Sequence, residues 1–149
     1  MTESHLGGCQ CGAVRYRLEG PLARAYACHC RDCQKQSASA FSLSIPIELA
    51  RLHVSGALTA FEKRADSGAV TTCHSCAACG SRIYHSSSRG PERGTLKVGS
   101  LDDPSDIRPV YHLWVSRKQA WVLLDPDVPA FETQPPDLAA WRRSLLVAD

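Results

Sequence analysis

Residues 28–33, Cys-His-Cys-Arg-Asp-Cys, carry three thiols within one short stretch. The other five cysteines fall in two further clusters: Cys9 with Cys11 as CxC, and Cys73, Cys76 and Cys79 as CxxCxxC. In an extended strand side chains two apart point the same way, so a CxC presents its sulfurs together, whereas a CxxC closes on one ion across a tight turn. These spacings suit zinc. Structural zinc takes four protein ligands, while catalytic zinc keeps three and leaves the fourth position to water or substrate. Eight thiols permit several partitions. The most economical joins Cys9 and Cys11 to a late CxxC, tying the N-terminal strand to the middle of the chain, and leaves Cys28, Cys30 and Cys33 as a three-thiolate set with an opening. The late pair is either Cys73 with Cys76 or Cys76 with Cys79. The second is preferred, because Gly80 follows Cys79 and tolerates the positive φ that a metal knuckle often demands. Cys73 then reads as a small buried hydrophobe on a strand. A dithiol redox pair of Cys30 and Cys33 is the main competitor for the triple.

Proton transfer beside such an ion needs a positioned acid or base, and the chain offers His29, His112, Asp102 and Asp103 without choosing among them. His29 lies between two candidate ligands and in an extended segment points to the opposite face, which favours a structural role. His112 sits in a strand pattern, where a hydrogen-bonded core histidine and a pocket residue are equally good readings. Asp102 and Asp103 precede Pro104 and read as turn formers. Arg117 and Lys118 could receive a carboxylate, although a solvated charge pair is the plainer reading. Trp114 and Trp121 are expected in the core or in a pocket wall.

The elements that must position these residues are mostly strands. "AVRYRLEG" puts Val14, Tyr16 and Leu18 on one face, and "AFSLSIPIE" does the same with Phe41, Leu43, Ile45 and Ile47. "LTAFEK", "AVTTCHSC", "SRIYHS", "TLKVGSL" and "PVYHLWVS" continue the pattern at the spacing of an all-β domain, punctuated by Gly, Pro, Asp and Ser. "HSSSRGPERG", residues 85–94, reads as a surface loop. Only "PPDLAAWRRSLLVAD" is helical, with Pro before the first turn and Leu138, Trp141 and Leu145 at spacings of three and four, packing as a lid or flank.

At 149 residues the expectation is one domain spanning residues 1–149, and the apolar 44% and charged 21% suit a packed globular core. The net charge of +2 comes from scattered residues with no basic run, so nucleic-acid binding is not indicated. No stretch has the apolar length of a membrane span, and "MTESHLGGCQ" lacks a signal-peptide pattern. The expected address is the cytoplasm, where thiols stay reduced and a disulfide framework is disfavoured.

"GGCQCGAVRY", "CHCRDCQKQSASAF", "CAACGS" and "VGSLDDPSDIRPVYHLWVSRKQAW" together resemble the glutathione-dependent formaldehyde-activating enzyme family, which includes centromere-protein-V-like members. The resemblance runs from about Gly7 to Trp121. It implies a β-tent fold of short antiparallel sheets held by two zinc ions, and carbon–sulfur lyase chemistry on the adduct of glutathione, or another thiol, with formaldehyde or a similar small aldehyde. It also implies that Cys9, Cys11, Cys76 and Cys79 are structural zinc ligands and that Cys28, Cys30 and Cys33 are the catalytic ones. Three positions depart from the family pattern: Ala38 stands where Gly is frequent, Ser75 precedes Cys76 where Phe is common, and Cys73 belongs to no family motif.

Two rivals come from other classes. A zinc module for protein interaction needs no open metal position, so a fourth protein ligand at the Cys28 site, such as Cys73 or His29, would favour it. A thiol oxidoreductase needs a reactive cysteine outside the structural set, and no cysteine follows Cys79. A zinc deaminase is excluded, since neither its H-x-E element nor its PCxxC is present.

Overall fold

The computed structural model describes residues 3–146. Its first half runs β1 (Ser4–Gly8), β2 (Arg15–Glu19), β3 (Ala25–Cys28), helix α1 (Arg31–Ser37), β4 (Ser42–Glu48) and β5 (Leu52–Ser55). The second half runs β6 (Leu58–Arg64), β7 (Val70–Cys76), β8 (Arg82–Ser87), β9 (Gly90–Lys97), β10 (Pro109–Leu113) and the C-terminal helix α2 (Leu138–Leu145). The fold is mainly β, in two sheets. A three-stranded sheet has the order β1-β2-β5, and a seven-stranded sheet the order β10-β3-β4-β9-β8-β7-β6.

Alternation in the sequence decides which faces meet. Tyr16 and Leu18 of β2, with Val14 before it, point into the main core, where they join Ile45 and Ile47 of β4, Ile83 of β8 and Leu96 of β9. These side chains form the core shared by the two sheets, each aliphatic one stabilising the fold by roughly 1.5–3 kcal/mol on burial. The opposite face of the large sheet is covered near β3 and β10 by α2, whose Trp141 and Leu145 pack against Cys28 and Leu113. Trp141 meets Tyr26 edge-on at 4.9 Å between ring centroids. The flank expected of this helix is therefore present.

Several details differ from the sequence expectation. The sheets are not wholly antiparallel, because β10 runs parallel to β3, pairing Leu113 with Cys28. Residues 85–94 are not one loop: β8 continues to Ser87 and β9 starts at Gly90, so only Ser88 and Arg89 turn. The backbone ladder between the two strands outweighs a composition that reads as loop. α2 is capped by the Asp137 carboxylate, which accepts from Ala140 N at 3.0 Å, and Leu138 stays at its exposed edge. Its expected continuation through Val147, Ala148 and Asp149 lies outside the described residues. No helix among the described residues is long and apolar enough to cross a membrane.

Candidate functional site

Two hairpin turns bring four cysteines together. Cys9 and Cys11 occupy the turn between β1 and β2, while Cys76 ends β7 and Cys79 lies in the turn that follows it, where Gly80 takes φ 79°. Their four sulfurs all lie within 4.8 Å of one another. Cys9 and Cys11 Sγ are 3.5 Å apart, and Cys11 and Cys76 Sγ 3.8 Å. A zinc–sulfur bond of about 2.3 Å in a tetrahedron places sulfurs about 3.8 Å apart, so the donor set fits zinc. Backbone amides support the same chemistry: Val14 N donates to Cys9 Sγ at 3.1 Å, and Ala78 N and Cys79 N donate to Cys76 Sγ at 3.3 and 3.4 Å. Such donors favour thiolates. The Val14 amide lowers Cys9, and the Ser81 hydroxyl brings Cys79 down to about 5. The four residues belong to different sheets, so an ion held there would fasten one sheet to the other.

The second group stands where β3 runs into α1. Cys28 closes the strand, Cys30 is the N-cap of the helix, and Cys33 lies in its first turn, with Cys33 N donating to Cys30 Sγ at 3.3 Å. These three sulfurs also lie within 4.8 Å of one another. Protons are shared unequally among them: hydrogen bonds from Cys28 and Cys33 hold the Cys30 thiol down at about 2, while the same contact with Cys30 pushes Cys28 far up. Three thiolates at this spacing repel one another, so full deprotonation requires a cation among them. All eight cysteines are free thiols, and neither Cys73 nor His29 joins the triple. Among the described residues no further His, Cys, Asp or Glu completes this donor set.

The segment carrying the triple is anchored from below. His29 is fully buried, and its Nε2 lies 3.0 Å from His112 Nδ1, so alternation does turn it away from the sulfurs. Burial holds both imidazoles below the ordinary histidine value, His29 at about 4. Gln34, buried in α1, donates from Nε2 to the carbonyls of His29 at 2.7 Å and Arg117 at 2.9 Å. Trp114 follows β10 at φ 59°, packs against the Cys28 cluster, and donates from its indole to Gln134 Oε1 at 2.9 Å. Trp121 is 72% exposed and lies outside the core, along a shallow groove beside α1.

A cleft of about 780 Å³ opens beside both groups. Cys9 and Ser81 mark its end at the quartet, and Ser42, the cross-strand partner of Cys28, its end nearer the triple. Cys28, Cys30 and Cys33 are not among the residues that line it. Asp102 lines the cleft but is held by both terminal nitrogens of Arg15, and Asp103 accepts from Ser105 N at 3.2 Å within its own turn. Lys118 Nζ donates to the backbone carbonyl of Val122 at 2.9 Å, away from the cleft. Sequence reasoning missed two cleft residues, Lys97 and Arg82. A lone Lys or Arg in a strand pattern reads by default as a solvated face, and no local signal contradicts that reading here.

A family model described as glutathione-dependent formaldehyde-activating enzyme matches residues 4–117. A Halomonas elongata protein named "Putative glutathione-dependent formaldehyde-activating enzyme" is 26% identical over 125 residues, covering 80% of each chain. The crystal structure of a Rhodobacter sphaeroides protein is similar with a TM-score of 0.53 and 25% identity, over 70% of this chain and 91% of that one.

Proposed function

The chain belongs to the glutathione-dependent formaldehyde-activating enzyme family, and on that premise we propose that it is a zinc-dependent carbon–sulfur lyase. Its substrate on this reading is the adduct of glutathione, or another thiol, with formaldehyde or a similar small aldehyde. One observation carries the reading: four sulfurs form a closed donor set, whereas Cys28, Cys30 and Cys33 gather without a fourth protein donor among the described residues. That asymmetry is the difference between a structural and a catalytic zinc site. The whole chain then acts as one β-tent domain over residues 1–149, working in the cytoplasm.

Cys9, Cys11, Cys76 and Cys79 would hold one zinc, and Cys28, Cys30 and Cys33 the other. Zinc held there by Cys28, Cys30 and Cys33 would supply Lewis-acid chemistry, favouring a thiolate or alkoxide of the substrate over its neutral form. In the cleavage direction the C–S bond breaks, its electron pair stays on sulfur, the hydroxyl proton departs as the carbonyl forms, and the thiol regains a proton. The protein's own part is to place and dry the adduct. Gln34 and the His29–His112 pair fix the backbone that carries the three sulfurs. Ser42, cross-strand from Cys28 and on the cleft wall, accepts from Lys97 Nζ at 3.2 Å, so this pair would stand beside the bound adduct.

The test is to count zinc per chain and to follow exchange of the formaldehyde–glutathione adduct with and without Cys30→Ser. Two zinc falling to one with loss of exchange supports the lyase. Two zinc with no exchange in the parent protein favours an interaction module instead.

A further inference from the structure

Lys97 and Arg82 are cations without a carboxylate partner among the described residues. Lys97 ends β9 and is 9% exposed, and its Nζ donates to Ser42 Oγ at 3.2 Å and Ser44 Oγ at 3.1 Å. An ammonium has three N–H donors, and both recorded acceptors are neutral hydroxyls. Arg82, at the start of β8, has Nε and Nη2 buried with no hydrogen-bond partner. Among the described residues neither side chain forms an ion pair, yet both line the 780 Å³ cleft. The acid on the cleft wall, Asp102, is already bound by Arg15. Burying charge without a counter-charge is expensive, and proteins rarely tolerate it where nothing binds.

We propose that Lys97 and Arg82 form an anion-binding wall of the cleft, and that the adduct accepted there carries a carboxylate in addition to the reacting carbon–sulfur bond. This rests on the lyase reading for the identity of the reaction, but the wall itself rests on the two unpartnered cations. Burial pulls the Lys97 ammonium down to about 8 against the opposing charge of the nearby Cys33 thiolate, and the Arg82 charge adds to the lowering. The guanidinium's planar fork suits a carboxylate, and the cleft has the volume of a site for a tripeptide-sized ligand. A divalent cation is repelled by the same wall. The competing use of Lys97 is to balance the negative charge of the neighbouring Cys28 and Cys33 thiolates. That use leaves Arg82 unexplained.

The experiment compares kcat/KM of the zinc-loaded protein on formaldehyde adducts of glutathione and of glutathione diethyl ester, whose carboxylates are masked. The parent is expected to favour the acid by about tenfold or more, and Arg82→Gln and Lys97→Gln to collapse that ratio. A ratio near one in the parent, or a ratio unchanged in both variants, overturns the proposal. Loss of zinc from Lys97→Gln with the acid preference intact also overturns it, assigning Lys97 to charge balance. Arg82→Gln carries the test should Lys97→Gln fail to fold. If the parent turns over neither adduct, calorimetry with S-methylglutathione and its diester separates the two readings. Binding of the acid alone, lost in Arg82→Gln, upholds the wall while the lyase falls, and equal or absent binding overturns the wall.

Discussion

His29 Nε2 and His112 Nδ1 lie 3.0 Å apart in the buried interior, and His29 Nδ1 has no partner among the described residues. One ring therefore donates to the other, and that bond is the polar satisfaction His29 has. His112→Phe leaves both nitrogens of His29 unpaired in the interior. The expected cost is about 1–3 kcal/mol in urea unfolding. The double variant His29→Phe, His112→Phe should cost less than the sum of the single changes, by about 1 kcal/mol, because the orphaned ring goes with its partner. Strict additivity would show that the two rings do not share a proton.

The two cysteine groups are expected to differ in what their removal does. Cys76→Ser breaks a donor set drawn from two sheets, so it should release one metal equivalent and lower the melting temperature sharply. Cys30→Ser acts within one short segment, and its hydroxyl can still accept from Cys33 N as a helix cap. It should release one equivalent with little change in melting. Metal analysis alongside calorimetry reads both; equal destabilisation by the two changes would remove the division between fastening and reacting sulfurs.

His85 gives the fold a pH dependence of definite sign. Burial, with Lys97 and Arg82 adding like charge, holds its imidazole down at about 3, and its Nδ1 is buried without a partner. In the unfolded chain the ring titrates near 6.5, so below that pH unfolding takes up a proton. The stabilisation is present in full above pH 6.5 and is lost as pH falls from there toward 3. One such group costs up to about 1.4 kcal/mol per pH unit in that window. His85→Gln should flatten the stability profile between pH 6.5 and 5 relative to the parent, with thiolate protonation common to both. Parallel profiles would show that His85 takes up a proton as readily in the fold as in the unfolded chain.

Much of this was legible in the sequence because cysteine spacing and strand alternation are local signals. The gathering of Cys76 and Cys79 with Cys9 and Cys11 follows the spacing read with Gly80, which takes a positive φ. Cys73 reads correctly as a buried strand residue, 5% exposed and cross-strand from Phe61 and His85. What stayed hidden depends on long-range pairing. β3 and β5 are only four residues each, too short to show a period, and the parallel pairing of β10 with β3 joins segments some eighty residues apart. α1 escapes notice because its seven residues follow the metal-binding spacing and show no helical period of apolar residues. Lys97 and Arg82 looked like solvated strand charges because only the folded cleft reveals that their counter-charges are missing.

Ala38 and Trp114 share a left-handed backbone, at φ 50° and 59°, and should respond oppositely to glycine. Ala38 ends α1, its amide donating to the carbonyls of Gln34 and Lys35, and its methyl lies at the exposed surface. For an L-residue that conformation costs roughly 1–2 kcal/mol, part of which glycine gives back as unfolded-state entropy. Ala38→Gly is therefore expected to stabilise by about 0.5–1 kcal/mol, with metal content unchanged. Trp114 carries the same backbone strain, but its ring packs against the Cys28 cluster and its indole bonds Gln134. Trp114→Gly should destabilise by about 3 kcal/mol or more, since the lost burial outweighs the relieved strain. Urea midpoints of the two variants decide the point, and a fall in the Ala38→Gly midpoint would mean that the left-handed turn carries no strain for glycine to relieve.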